Sequence, residues 1–414
     1  MTAPDRSASV HDAGWSISTW KEIALGFLKV GATAYGGPAI MGVMQAEFQE
    51  RRQWTTRARF LEGMALVNVV PGATATQLGI FLGYVRGGWW GGLVAGLCFA
   101  APAFAIMLAL TVAYGALGVS PLLRGVLYGL GPVVLAIFCA ALFRLGVSAL
   151  RTRLQVLIAV AAAVAVLFTP LGAAAVLLLA GGVGLFRFHG KRAGAIVLVV
   201  LTVILALVPV ATWSPLGAPV AEPPSLGRVA ALFAVIGAFT FGGGLSMIAL
   251  MDEHVVDRLH WLTPREFVDG LALGQLTPGP VLMLAAYVGY KTLGVGGALV
   301  AAAASFLPSF ILMLALLPVF DRLRDLASAK AVMQGIVPGV IGVMAVALGR
   351  MAPHAAPDAL AIVVLVVTVV ALVLWRVAPL KAVLGGAIVG MLRDRVCELP
   401  GVRAVLCLGL GARG

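Results

Sequence analysis

Charge is what this 414-residue chain has least of. Asp, Glu, Lys and Arg together make up 11% of it, whereas a soluble domain carries about 25%. With 61% apolar residues and a mean hydropathy of +1.05, this scarcity excludes a soluble globular protein. Acidic residues are the rarer sign, 17 against 29 basic ones, a net charge of +12. The basic surplus is scattered over many short loops, which argues against a nucleic-acid patch and for residues that anchor and orient membrane spans. Cysteine is almost absent: Cys98 and Cys139 lie in apolar runs, Cys397 and Cys407 near the C-terminus. With no Cys-x-x-Cys and no Cys/His cluster, neither a metal site nor a redox pair is expected. The five histidines sit in loops or at span edges, without a carboxylate or serine at motif spacing, and there is no P-loop and no Gly-x-Ser-x-Gly. Catalytic residues, cofactors and hydrolytic coupling are therefore not expected, and the chain does not read as an enzyme. Residues 1–19 lack a basic cluster and an apolar core, so they do not read as a cleaved signal.

What the chain has instead is apolar runs of spanning length. They fall near 21–44, 61–84, 91–117, 123–147, 153–169, 171–187, 194–211, 227–250, 267–290, 294–319, 331–350, 358–375 and 378–392, about thirteen in all. The expected fold is an all-α polytopic membrane protein. It is also a repeat. Gly31, Gly36 and Glu47 return as Gly237, Gly242 and Glu253 at an offset of 206. Trp54, Phe60, Gly63, Pro71 and Gly72 return as Trp261, Phe267, Gly270, Pro278 and Gly279 at 207, and Pro102, Gly129, Pro132 and Arg144 as Pro308, Gly335, Pro338 and Arg350 at 206 again. Two homologous halves follow. Seven spans precede the second copy, so the copies enter from opposite faces as an inverted-topology repeat, with 194–211 as the linker span. The resulting division is a cytoplasmic tail at 1–20, a first repeat at 21–193, a linker span and Pro-rich loop at 194–226, and a second repeat at 227–414. Most loop arginines favour a cytoplasmic N-terminus; Arg51, Arg52, Arg57 and Arg59 oppose it.

Each repeat is organised around a break in its first span, Gly36-Gly37-Pro38 and then Gly242-Gly243-Gly244. A helix interior loses about 1 kcal/mol for each Gly and about 3 for a Pro, and in lipid the freed backbone groups must find partners in protein or water. A break found twice at matching positions points to a transport site, where free N–H groups at half-helix ends hold an anion. Close packing through small residues is the competing reading. The second span of each half carries Pro71-Gly72 and Thr277-Pro278-Gly279-Pro280, preceded by the amides Asn68 and Gln275. These amides either donate to an oxyanion or repair the kink. Thr74, Thr76 and Gln77 add donors in the first half only. Lys29, inside the first span, either binds an anion or snorkels. Glu47 and Glu253 are candidate coupling groups, or partners of Arg51 and Arg258.

Taken with Glu47-Phe48, Arg51-Arg52-Gln53-Trp54, Gly274 to Pro280 and Phe306-Leu307-Pro308-Ser309-Phe310, these breaks resemble the chromate ion transporter family in its long, two-half form. The resemblance covers nearly the whole chain and implies an exporter of chromate in the cytoplasmic (inner) membrane, conferring chromate resistance, with the bilayer and a chromate or sulfate-like dianion as its partners. A homo-oligomer is compatible with it. Met41, Ala73 and Ala101 depart from the family pattern, Ala73 standing where a second proline would complete Pro-Gly-Pro. A sulfate or other oxyanion transporter, an anion channel and a membrane scaffold remain the alternatives.

Overall fold

The computed structural model describes residues 17–35, 37–116, 121–169, 171–207, 223–241, 244–319 and 327–397. Among them the chain is helical throughout, with no strand. In the first half α1 (Ile17–Thr33) is followed by α2 (Gly37–Met44), which runs into a π-helical turn (Gln45–Arg51), then α3 (Arg57–Val67), α4 (Thr74–Ala116), α5 (Pro121–Ala149), α6 (Arg153–Phe168) and α7 (Ala173–Phe188). The linker contributes α8 (Lys191–Leu207). The second half repeats the order: α9 (Leu226–Ala238), α10 (Leu245–Met251) with its π turn (Asp252–Arg258), α11 (Pro264–Leu276), α12 (Leu284–Leu316), α13 (Ala327–Ala355), α14 (Ala359–Val373) and α15 (Pro379–Cys397). The described part of each apolar run falls on one helix or on a broken pair; 208–211 and the Pro-rich loop as far as 222 lie outside the described residues. Four helical stretches, Thr74–Ala116, Leu123–Ala149, Val281–Val319 and Ala327–Ala355, are long and apolar enough to cross a bilayer.

The two longest helices are hairpins. Gly88 and Gly294, 206 residues apart, take the same left-handed backbone (φ 61°, ψ −156° and φ 63°, ψ −152°) that only glycine adopts without strain. A methyl on Gly83 would lie 2.4 Å from the Gly91 carbonyl oxygen, and one on Gly289 2.2 Å from that of Gly297. Residues eight apart in a straight helix are separated by about 12 Å, so each chain has folded back, and the small residues let the two limbs touch.

The halves exchange their last helices. α5 of the first half packs against α14 and α15 of the second, while α13 of the second packs against α6 and α7 of the first. The seams are matching glycine contacts: a methyl on Gly129 would lie 1.9 Å from the Gly386 oxygen, and one on its counterpart Gly335 1.9 Å from that of Ala180. Without hydrophobic driving force between helices in lipid, such close backbone approach is what holds them together. Because each half's core is completed by the other, α1 to α7 do not form a closed unit by themselves.

Candidate functional site at the helix breaks

The breaks meet in pairs across the halves. The Gly72 N–H donates to the Thr240 carbonyl (2.7 Å), and the Gly279 N–H donates to that of Ala34 (2.8 Å). The Pro-Gly break of each half is thus hydrogen-bonded to the first-span break of the other. Gly72 (φ +132°) and Gly279 (φ +98°) both need the left-handed region to present these N–H groups. Tyr35 adds a long contact of 3.5 Å to the Leu276 carbonyl. Gly72, Thr240, Thr277, Pro278 and Gly279 are all buried.

Polarity is concentrated on the first half's side. α4 starts here, and the Ala73 N–H just before it donates to Ser309 Oγ (2.9 Å). The Gln77 N–H closes on the Ala73 carbonyl (2.8 Å), so those of Thr74, Ala75 and Thr76 have no acceptor along the helix. Gln77 folds back over this end, its Nε2 donating to the Pro71 carbonyl (2.7 Å). Thr76 and Gln77 are fully buried, yet Thr76 Oγ1 and Gln77 Oε1 find no partner among the described residues. Buried polar atoms are rarely left so.

The second half closes the same places with non-polar or self-bonded groups. Ser309 is answered by Ala103 and Ala73 by Pro280. Pro280 has no N–H, so no hydroxyl is needed opposite it; a methyl on Gly279 would meet Ala103 Cβ at 2.7 Å. Thr277 Oγ1 donates to the Leu273 carbonyl of its own helix (2.9 Å). Ser246 Oγ accepts the Phe241 N–H (2.6 Å) and donates to the Phe239 carbonyl (2.9 Å), tying the start of α10 to the end of the preceding helix. Its counterpart Ile40 has nothing to offer.

Of the residues singled out from the sequence, Gly72 and Gly279 make the cross-half bonds, and Pro71, Gln77, Thr277 and Pro278 adjoin them in the chain or bond within their own half. Gly37 and Pro38 open α2, where proline's missing N–H costs nothing. Gly36, Gly242 and Gly243 lie outside the described residues. Asn68 is exposed and donates to the Met64 carbonyl (2.7 Å), the kink-repair option. Gln275 is half-buried near the end of α11. Lys29 does not reach the breaks: its side chain is 54% exposed and 3.6 Å from Glu47 Oε2.

Glu47 and Glu253 are both ion-paired. Glu47 takes Arg51 (2.6 Å) and Arg52 Nε (2.9 Å), and Glu253 takes Arg258 (2.5 Å) while its second oxygen accepts the Ala173 N–H at the start of α7 (2.7 Å). Arg52 and Arg258 are repeat equivalents five residues on, and the π turns bring i and i+5 together. Reading both turns as α-helical hides Arg52. Burial pushes the Glu47 carboxyl up, but the Arg52 hydrogen bond and the charges of Lys29, Arg51 and Arg52 outweigh it and hold it below the usual carboxylate range. Asp252, at the head of the second π turn, is different: 4% exposed and without a hydrogen-bond or ion-pair partner among the described residues. Burial, helped by Asp257 and Glu253 and opposed by Arg350, pushes its pKa up to about 7.

The family model described as "Chromate transporter" matches the chain twice, over residues 21–185 and 227–391. The chain belongs to the chromate transporter family. The two matches are themselves 206 residues apart, the offset of the breaks. The chain is 31% identical over 399 residues to the chromate transport protein of Cupriavidus metallidurans, covering 94% of this chain and 96% of that one. It is 32% identical to the probable chromate transport protein of Synechococcus elongatus (86% and 90% covered) and 32% identical to the chromate transport protein of Pseudomonas aeruginosa (77% of each). No solved structure matches it. This member of the chromate transporter family is a multi-pass membrane protein of two homologous halves.

Proposed function

We propose that the chain is a secondary transporter that exports chromate across the cytoplasmic membrane and thereby confers resistance to it. Two inverted halves, thirteen spans in all, alternate access to one site at the crossed breaks. The observation that carries this reading is the reciprocal pair of bonds, Gly72 N–H to Thr240 and Gly279 N–H to Ala34. Breaking and remaking such bonds is how one half moves against the other without exposing backbone to lipid. The dianion is held by main-chain N–H groups at the start of α4 and at Gly36-Gly37 and Gly242-Gly243, with the Thr76 hydroxyl and the second amide hydrogen of Gln77. Helix ends and neutral donors bind an anion without burying a formal positive charge. Chromate and sulfate are both tetrahedral dianions, so donors of this kind separate them weakly.

The test is labelled chromate and sulfate uptake into everted vesicles by the intact chain and by Gly37→Leu with Gly243→Leu. The expected result is saturable chromate uptake by the intact chain and a loss of at least tenfold in a variant that inserts normally. Uptake by that variant at the intact rate overturns the assignment of the breaks. Unsaturable current in place of exchange would make the protein a channel.

A further inference from the structure

We infer that Asp252 is the proton-binding residue of the transport cycle, its charge deciding whether α10 and its π turn stay docked on α13. This rests on the transport reading above.

The carboxyl is buried at the junction of α10 with its π turn. The helix before it, Leu245–Met251, carries no charged residue. The charges that act on it are those of Asp257 and Glu253 in its own turn and of Arg350 on α13. The other charges nearby are committed. Arg350 pairs with Asp257 (2.6 Å), Glu253 with Arg258, and His254 Nδ1 lies 2.9 Å from the Leu250 carbonyl. On α11, which packs against the same turn, Glu266 pairs with Lys291 (2.8 Å) and Asp269 accepts from Tyr114 (3.0 Å); Arg265 lies beside Asp269.

Burial without a hydrogen-bond partner favours the protonated form of this carboxyl. Losing the proton adds a negative charge that acts on Asp257 and Arg350, whose exposed ion pair links the π turn to α13. α10 begins five residues after Thr240, whose carbonyl receives the Gly72 N–H, so the carboxyl and the anion site lie on one stretch of sequence. The equivalent positions of the first half hold no such set. Asp252, Asp257 and Arg350 are answered by Ala46, Arg51 and Arg144, and Arg144 donates to the Leu372 carbonyl instead.

The experiment uses the full chain in liposomes. Chromate counterflow between equal pH values reports transport; net chromate uptake into anion-free liposomes, at fixed outside pH and varied inside pH, reports coupling. The fixed outside pH keeps the charge of the presented anion constant. For Asp252→Asn we expect the pH-gradient response to fall at least tenfold further than counterflow does. Asp257→Asn removes the neighbouring charge and frees Arg350 for Asp252, so the midpoint of the inside-pH profile should fall by about one unit. Asp252→Asn with parental gradient dependence overturns the inference, and so does an unmoved midpoint in Asp257→Asn, which decides the matter if the first variant does not fold. No counterflow in the parent would instead refute the transport reading itself.

Discussion

Ser309→Ala, alone and with Ala73→Pro, tests the account of the crossed breaks most directly. In the first half the buried Ala73 N–H is satisfied by Ser309 Oγ; in the second, Pro280 and Ala103 occupy the same two places, so neither donor nor acceptor exists. Ser309 is fully buried, and water does not replace its hydroxyl easily. Removing it leaves a buried N–H unpaired, a cost of about 1–3 kcal/mol. Adding Ala73→Pro removes the orphaned donor and rebuilds the second half's arrangement, in which Pro280 sits comfortably at φ −74°, ψ 135°. The double variant should then recover most of the loss, a coupling of about 1 kcal/mol or more where independent sites add to within about 0.5. The measurement is the unfolding midpoint of the detergent-solubilised protein for the four members of the cycle. A Ser309→Ala variant as stable as the parent, or a double variant whose losses simply add, would refute the reasoning. If the hydroxyl also shapes the anion site, chromate affinity will fall in Ser309→Ala and stay low in the stable double variant, which separates binding from folding.

Two further outcomes are expected. Gly335→Leu forces a side chain into the Ala180 backbone, where even a methyl carbon would approach to 1.9 Å, so the α7–α13 seam should open and the monodisperse yield on size exclusion collapse, whereas Gly349→Leu, with open space around it, should leave the yield unchanged. The Glu47 cluster gives an acid dependence. A carboxyl held below its unfolded value stabilises the fold above that value, about pH 4.3, and the contribution is lost as pH falls through the still lower folded value. Thermal midpoints of Glu47→Gln should therefore lie below the parent's near neutrality and converge with it in acid; a constant gap across this range would contradict the ion-paired geometry.

Much of this architecture is written in residues that helices tolerate poorly. Proline and paired glycine in an apolar run lower helix stability wherever they sit, so their recurrence at fixed offsets marks the breaks and the repeat without any knowledge of packing. The Glu253 pairing with Arg258 is legible in the same way, by proximity along the chain. Arg52 is not, because the π turn changes which neighbour lies one turn away. Ser309 leaves a faint signal: a polar residue opposite Ala103 in the repeat, matched by alanine opposite Pro280. Asp252 leaves another, an acid where the first copy has alanine, but its lack of a partner is invisible along the chain.

By itself the sequence determined the solvent, the helical class, the two halves and the positions of their breaks, since each follows from local cost: backbone polar groups in lipid, glycine and proline in helices. Only the tertiary structure decided that the halves trade their last helices, that each break is bonded to the other half's, and that polarity gathers on one side of the junction. Those are contacts between residues some two hundred positions apart, and the free energy that selects them comes from close backbone approach across glycine seams, which no local propensity encodes.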